Sequence, residues 1–78
     1  MAKDIRNDVG PNIKYYRNKM GITQEELSIL LYNEGIIIDR TLLTKIENQT
    51  RRIYDIQVRV CAKVLRVEIG DLYDDFSE

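Results

Sequence analysis

Met20-Gly21-Ile22-Thr23-Gln24-Glu25-Glu26-Leu27 holds, within eight residues, the end of one helix and the start of another. Gly21 follows Val9, Ile13, Tyr16 and Met20, whose spacings of four, three and four put them on one helix face; a glycine placed there closes the helix in a left-handed conformation. Thr23 and Glu26 form a capping box. The Thr23 hydroxyl can accept from the Glu26 amide while the Glu26 carboxylate reaches back to the Thr23 amide. Ile22 before the cap and Leu27 after it complete a hydrophobic staple.

Pro11 falls in the first turn of the first helix, where its missing N–H costs least. The second helix continues its apolar stripe through Leu27, Leu30 and Leu31 to about Tyr32, with Asn33 and Gly35 as stop signals. Ile36-Ile37-Ile38 is β-branched but too short for a strand, and is read as an extended, partly buried connection. Asp39 is an N-cap for a third helix over about 40–48, with Ile38 and Leu43 as its staple. Leu43 and Ile46 face inward; Arg40, Thr41, Thr44, Lys45 and Asn48 remain outside. Asp55 is expected to cap a fourth helix whose Val58, Cys61, Ala62 and Leu65 recur at core spacing. Ile69, Leu72, Tyr73 and Phe76 repeat that spacing and predict a short fifth helix. The pattern is all-α: a compact bundle of about five short helices in one domain over 1–78, with short flexible ends at 1–7 and 75–78.

A chain of 78 residues with 44% hydrophobic side chains supports a single modest core. With no His and one Cys, it has no ligand set for a structural zinc and no intramolecular disulfide. Cys61 reads as a small buried hydrophobe, since no His is present to activate it. Lacking also a Gly-rich phosphate loop, the chain is not expected to be an enzyme or to need a cofactor. No apolar run approaches the roughly 20 residues of a spanning helix, and residues 1–8 are too charged for a signal peptide. A cytoplasmic protein without membrane partners is expected.

The net charge of −1 argues against strong non-specific affinity for nucleic acid, but the charge is polarised along the chain. Residues 1–20 carry five basic and two acidic groups and 36–52 four basic and two acidic. Residues 21–35 carry three acids and no base, and 53–78 three bases against six acids. If the two positive blocks share a face, that face attracts anions.

Between Asn12 and Leu72 the chain resembles the Cro and phage-repressor type of helix-turn-helix domain, also called the xenobiotic-response-element type. Residues 17–27, R-N-K-M-G-I-T-Q-E-E-L, resemble the family's R-x-x-x-G-[IL]-[ST]-Q-E-x-L block. Residues 40–48, R-T-L-L-T-K-I-E-N, resemble its recognition helix, Arg51-Arg52 sits where the family is often basic, and 65–72, L-R-V-E-I-G-D-L, resemble its closing L-x-V-x-[VI]-x-[DE]-L. Two departures stand out. The turn from Tyr32 to Asp39 is about four residues longer than usual. Gln49 replaces the family's Gly, so that position is expected either to leave the left-handed conformation or to hold it at a cost of about 1 kcal/mol.

The resemblance implies a lambda-repressor-like fold with its motif at about 23–48, and a bacterial or phage transcriptional regulator, with repression as the expected direction. A recognition helix enters the major groove N-terminus first. Arg40 has the planar fork that can bond O6 and N7 of a guanine, and by resemblance Arg40, Thr41 and Lys45 hold base-contacting positions, with Thr44 on the same side. Leu42 either touches a thymine methyl or packs beneath the long turn. Gln24, by resemblance, clamps a phosphate at the start of the second helix; Asn48, Arg51 and Arg52 are the other expected phosphate contacts, with Lys14 and Lys19 as further candidates. The resemblance also pairs Arg17 with Glu47 as a structural salt bridge.

One such domain reads few base pairs, so a homodimer on a pseudo-palindromic double-stranded operator is expected. Ile56, Val60 and Val64, with Tyr73 and Phe76, form the candidate interface, although the same residues could cap the core. No small-molecule effector is expected. The competing reading is a protein-interaction module of the same fold, such as an antitoxin or anti-regulator.

Overall fold

The computed structural model describes residues 5–74. Among them the secondary structure is entirely helical: α1 (Gly10–Met20), α2 (Gln24–Asn33), α3 (Arg40–Glu47), α4 (Asp55–Leu65) and a closing 3₁₀ helix (Ile69–Tyr73). α1 packs against α3, α4 and the 3₁₀ helix, and α2 against α3 and α4. Their apolar stripes meet in one core of Val9, Ile13, Leu27, Leu31, Ile38, Leu43, Ile46, Val58, Cys61, Ala62, Leu65 and Leu72. No helix is long and apolar enough to cross a membrane.

Local chemistry accounts for most helix ends. The Thr23 box is formed in both directions, with Glu26 N–H donating to Thr23 Oγ1 at 3.0 Å and Thr23 N–H to Glu26 Oε1 at 2.8 Å. Asp39 Oδ1 accepts from Leu42 N–H at 2.8 Å and starts α3. All four α-helices close with a pair of returning amides, as from Gly35 to Tyr32 O and Ile36 to Leu31 O after α2. The residues at the turning points are Gly21, Gly35, Gln49 and Arg66, with φ of 75°, 90°, 63° and 61°. Gln49 therefore holds the left-handed conformation without being glycine. Between α2 and α3, Ile36 is half-buried, Ile37 points outward and Ile38 is buried, an extended connection with the alternation of a strand.

Five sequence expectations require correction. The α1 stripe includes Val9 and Ile13, but Tyr16 is half-buried and Met20 exposed, because Arg17 takes the inward position to reach α3. Asp55 is the first residue of α4 and not its cap; Tyr54 precedes the helix, and its N–H is taken by Gln57 Oε1 at 3.0 Å. The fifth helix is a five-residue 3₁₀ segment in which only Leu72 is buried. Asn12 Nδ2 donates to the carbonyls of Leu72 (2.7 Å) and Asp74 (2.6 Å), which fixes the chain there instead of letting it wind on as α-helix. Asn7, expected within a flexible end over 1–7, is buried and hydrogen-bonded, while residues 1–4 and the end expected over 75–78 lie outside the described residues. α3 itself closes at Glu47, with Asn48 as its cap residue.

Gly10, at the first turn of α1, is dictated by packing. A Cβ there would overlap the carbonyl oxygen of Ile46, so the start of α1 and the end of α3 approach as closely as two backbones can. Gly10→Ala is expected to lower the stability of the fold by about 1–3 kcal/mol, as overpacking does. Urea denaturation checks this; a variant as stable as the parent would show that the two helices can separate without penalty.

Candidate nucleic-acid interface

The arrangement is organised from beneath α3. Glu47, on its last turn, is buried and meets Arg17 of α1 through Nε to Oε2 at 2.7 Å and Nη2 to Oε1 at 3.1 Å. Arg17 Nη1 also donates to Ile22 O at 2.8 Å, in the turn before α2. Gln24 Nε2 donates to Glu47 Oε1 at 3.0 Å. A carboxylate can only accept, so this fixes the orientation of the Gln24 amide and leaves Oε1 facing the Thr44 hydroxyl, 2.8 Å away. Side chains from α1, α2 and α3 thus converge on one buried ion pair. Among the described residues no buried side-chain nitrogen or oxygen lacks a hydrogen-bond partner.

On the other side of α3, Arg40, Thr41 and Lys45 are exposed and Thr44 is half-buried. Positions 40, 41, 44 and 45 lie on one face, opposite Leu43 and Ile46, and Glu47 is buried at the edge of that face, below Gln24 and Thr44. The helix of eight residues is roughly 12 Å long, comparable to the width of the major groove. Thr44 Oγ1 reaches both Gln24 Oε1 and its own helix at Arg40 O, 2.9 Å away; with one proton it donates to one of them at a time. Thr23, Gln24, Glu25, Arg40 and Thr44 line a cleft between the starts of α2 and α3. Leu42 is half-buried against the core and lines a separate hollow with Ile38, Ile46, Arg51, Arg52, Tyr54 and Gln57.

Of the expected phosphate contacts, Asn48, Arg51 and Arg52 are exposed just beyond α3. The Gln24 carboxamide is already committed to Glu47 and Thr44, so any phosphate it meets adds to an existing network. Because Glu47 is sequestered with Arg17, the exposed charges of α3 and the segment after it are Arg40, Lys45, Arg51 and Arg52 against Asp39. Lys19 sits elsewhere, 5.9 Å above the Tyr15 ring and lining a cleft with Met20, Leu65, Arg66 and Val67.

The candidate dimer row is uneven. Ile56 and Tyr73 are about half exposed, whereas Val60 and Val64 already pack against the core; Phe76 lies outside the described residues. A second apolar group was not singled out from the sequence: Ile29, Tyr32 and Ile37, the last 75% exposed, border a shallow groove with Ser28, Ile38 and Asp39. Its signal was the three-isoleucine run, in which alternation must turn one side chain outward. Asn7, Gly10 and Asn12 were also missed, because their partners are far away in sequence.

Cys61 is fully buried, and its thiol is pushed up to about 12, first by burial and then by the nearby charge of Glu47.

Glu47→Ala would leave the Arg17 guanidinium buried without its counter-charge and Gln24 Nε2 without an acceptor. A loss of about 3–5 kcal/mol is expected, the cost of breaking a buried pair by removing one partner. Urea unfolding measures it; a loss under about 1 kcal/mol would show that the pair does not hold α3 in place. No protein-family model, no curated protein and no solved structure matches this chain.

Proposed function

We propose that this protein is a sequence-specific double-stranded DNA-binding regulator of the phage-repressor helix-turn-helix type, with α2 and α3 as the motif and α3 read into the major groove. The observation that carries the reading is the division of α3. Its one acid, Glu47, is buried and neutralised by Arg17, while Arg40, Thr41 and Lys45 are exposed. Arg40 supplies bidentate readout of a guanine from the first turn, and Thr41 and Lys45 extend the contact along the groove. Asn48, Arg51 and Arg52 hold the backbone on one side and the start of α2, with Gln24, holds it on the other. A homodimer on half-sites about 34 Å apart supplies the remaining specificity. Bacterial or phage transcription, with repression as the direction, follows from the resemblance in the motif residues.

A second reading is favoured by one specific observation. Ile29, Tyr32 and Ile37 expose a cluster of apolar side chains on the α2 side of the molecule, as a protein-interaction module of the antitoxin or anti-regulator kind would.

Selection of bound duplexes from a random pool separates the two. The DNA reader yields a motif, and Arg40→Ala weakens binding to it by about 10- to 100-fold and relaxes preference at one base pair. Affinity falls steeply as salt rises, with a slope set by the number of neutralised phosphates. No enrichment, or affinity indifferent to salt, would favour the interaction module; an unchanged motif for Arg40→Ala would remove Arg40 from readout.

A further inference from the structure

Residues 6–10 are joined to the end of α3 by an unusually dense set of bonds. Asn7 Oδ1 accepts from Val9 N–H (3.1 Å) and Gly10 N–H (2.6 Å), capping α1. Its Nδ2 donates outward to Ile46 O (3.1 Å) on the last turn of α3 and to Arg51 O (2.7 Å) beyond it. Gln49 answers from the other strand of this crossing: its Nε2 donates to Asn7 O at 3.0 Å, and its own carbonyl accepts from Arg6 N–H at 3.4 Å. The contact at Gly10 leaves no room for the two segments to slide. Gln49 holds φ at 63°, a conformation that glycine adopts freely and glutamine does not. What the glutamine has and glycine lacks is the side chain that reaches Asn7. Beyond the crossing come Thr50, Arg51 and Arg52, and the arginine side chains are exposed.

We propose that Asn7 and Gln49 form a clasp whose purpose is to position Arg51 and Arg52 on the DNA backbone, making both of them positioning residues for affinity although neither faces the groove. This rests on the DNA-binding reading above. The clasp holds a segment with no helix of its own in a fixed path beside the C-terminal end of α3. Ordering it in the free protein removes that entropic cost from the bound state. Phosphate contacts carry no sequence information, so the clasp acts on all duplexes alike.

Two neutral variants test it. Gln49→Gly relieves the backbone and deletes the bond to Asn7; Asn7→Ser retains an oxygen able to cap α1 but deletes both outward donors. For Gln49→Gly the melting temperature is expected to stay at or above that of the parent, while the backbone order of 50–52 in the free protein, read by NMR relaxation, falls. Affinity is expected to fall about 3- to 10-fold on matched and mismatched duplexes alike, and the slope of log affinity against log salt to shrink by about one. Asn7→Ser is expected to give the same changes in order and slope with some loss of melting temperature. A glutamine that served the fold alone would move stability and leave the slope untouched. Unchanged backbone order at 50–52 in both variants overturns the clasp. Lower order with an unchanged slope overturns its role in affinity. If the parent protein binds no duplex, the DNA-binding reading falls and the role in affinity with it, while the order of 50–52 still decides whether the clasp exists.

Discussion

A guanidinium and a carboxylate taken out of water together set the terms for the rest of this molecule. The Arg17–Glu47 pair is buried on both sides, so each charge depends on the other and on the polar groups around it. Those groups come from everywhere the fold needs registration: Ile22 O from the first turn, Gln24 from the start of α2, and Thr44 from the middle of α3 through Gln24. A hydrophobic core alone tolerates sliding and rotation of its helices, because apolar contact has little direction. A bidentate ion pair does not. The expense of desolvating it is offset by definition of where α3 sits, and hence of which side chains α3 turns outward.

The same constraint shapes the electrostatics. With Glu47 withdrawn, an acidic chain presents a locally basic stretch, and the polarisation legible along the sequence becomes a local property of α3 and the segment after it. Not every base joins it: Lys19 lies over Tyr15 and beside the end of α4. Charge blocks in a sequence say which segments are basic. The direction in which each side chain leaves its helix decides which of them act together.

Features that depend on neighbours within four residues were readable in advance. The Thr23 box, the Asp39 cap, the stops at Gly21 and Gly35, and the inward faces of α3 and α4 all follow from local hydrogen bonding and a period of 3.6. Features that depend on distant partners were not readable from local pattern; the pairing of Arg17 with Glu47 was expected only through the family resemblance. Nothing in Asn12 announces the carbonyls of Leu72 and Asp74, and nothing in Gly10 announces Ile46. The α1 stripe was misassigned at Met20 for a related reason: apolar periodicity counts an arginine as outward, whereas Arg17 is drawn inward by a carboxylate 30 positions away. The left-handed end at Arg66 escapes a rule built on glycine, and at Gln49, where the resemblance left two outcomes open, the left-handed one is held. At Gln49 the side chain makes up through Asn7 what the backbone gives away.

The lone thiol of Cys61 lies on α4 at full burial, packed among the apolar side chains that hold the helices together and held in its protonated form. A water-borne alkylating agent can meet it only while α4 is away from the core. The speed at which such an agent consumes the thiol is therefore a clock of spontaneous opening, one that needs no label and disturbs no surface. In the presence of such an agent, an alkylated thiol marks a molecule that has opened.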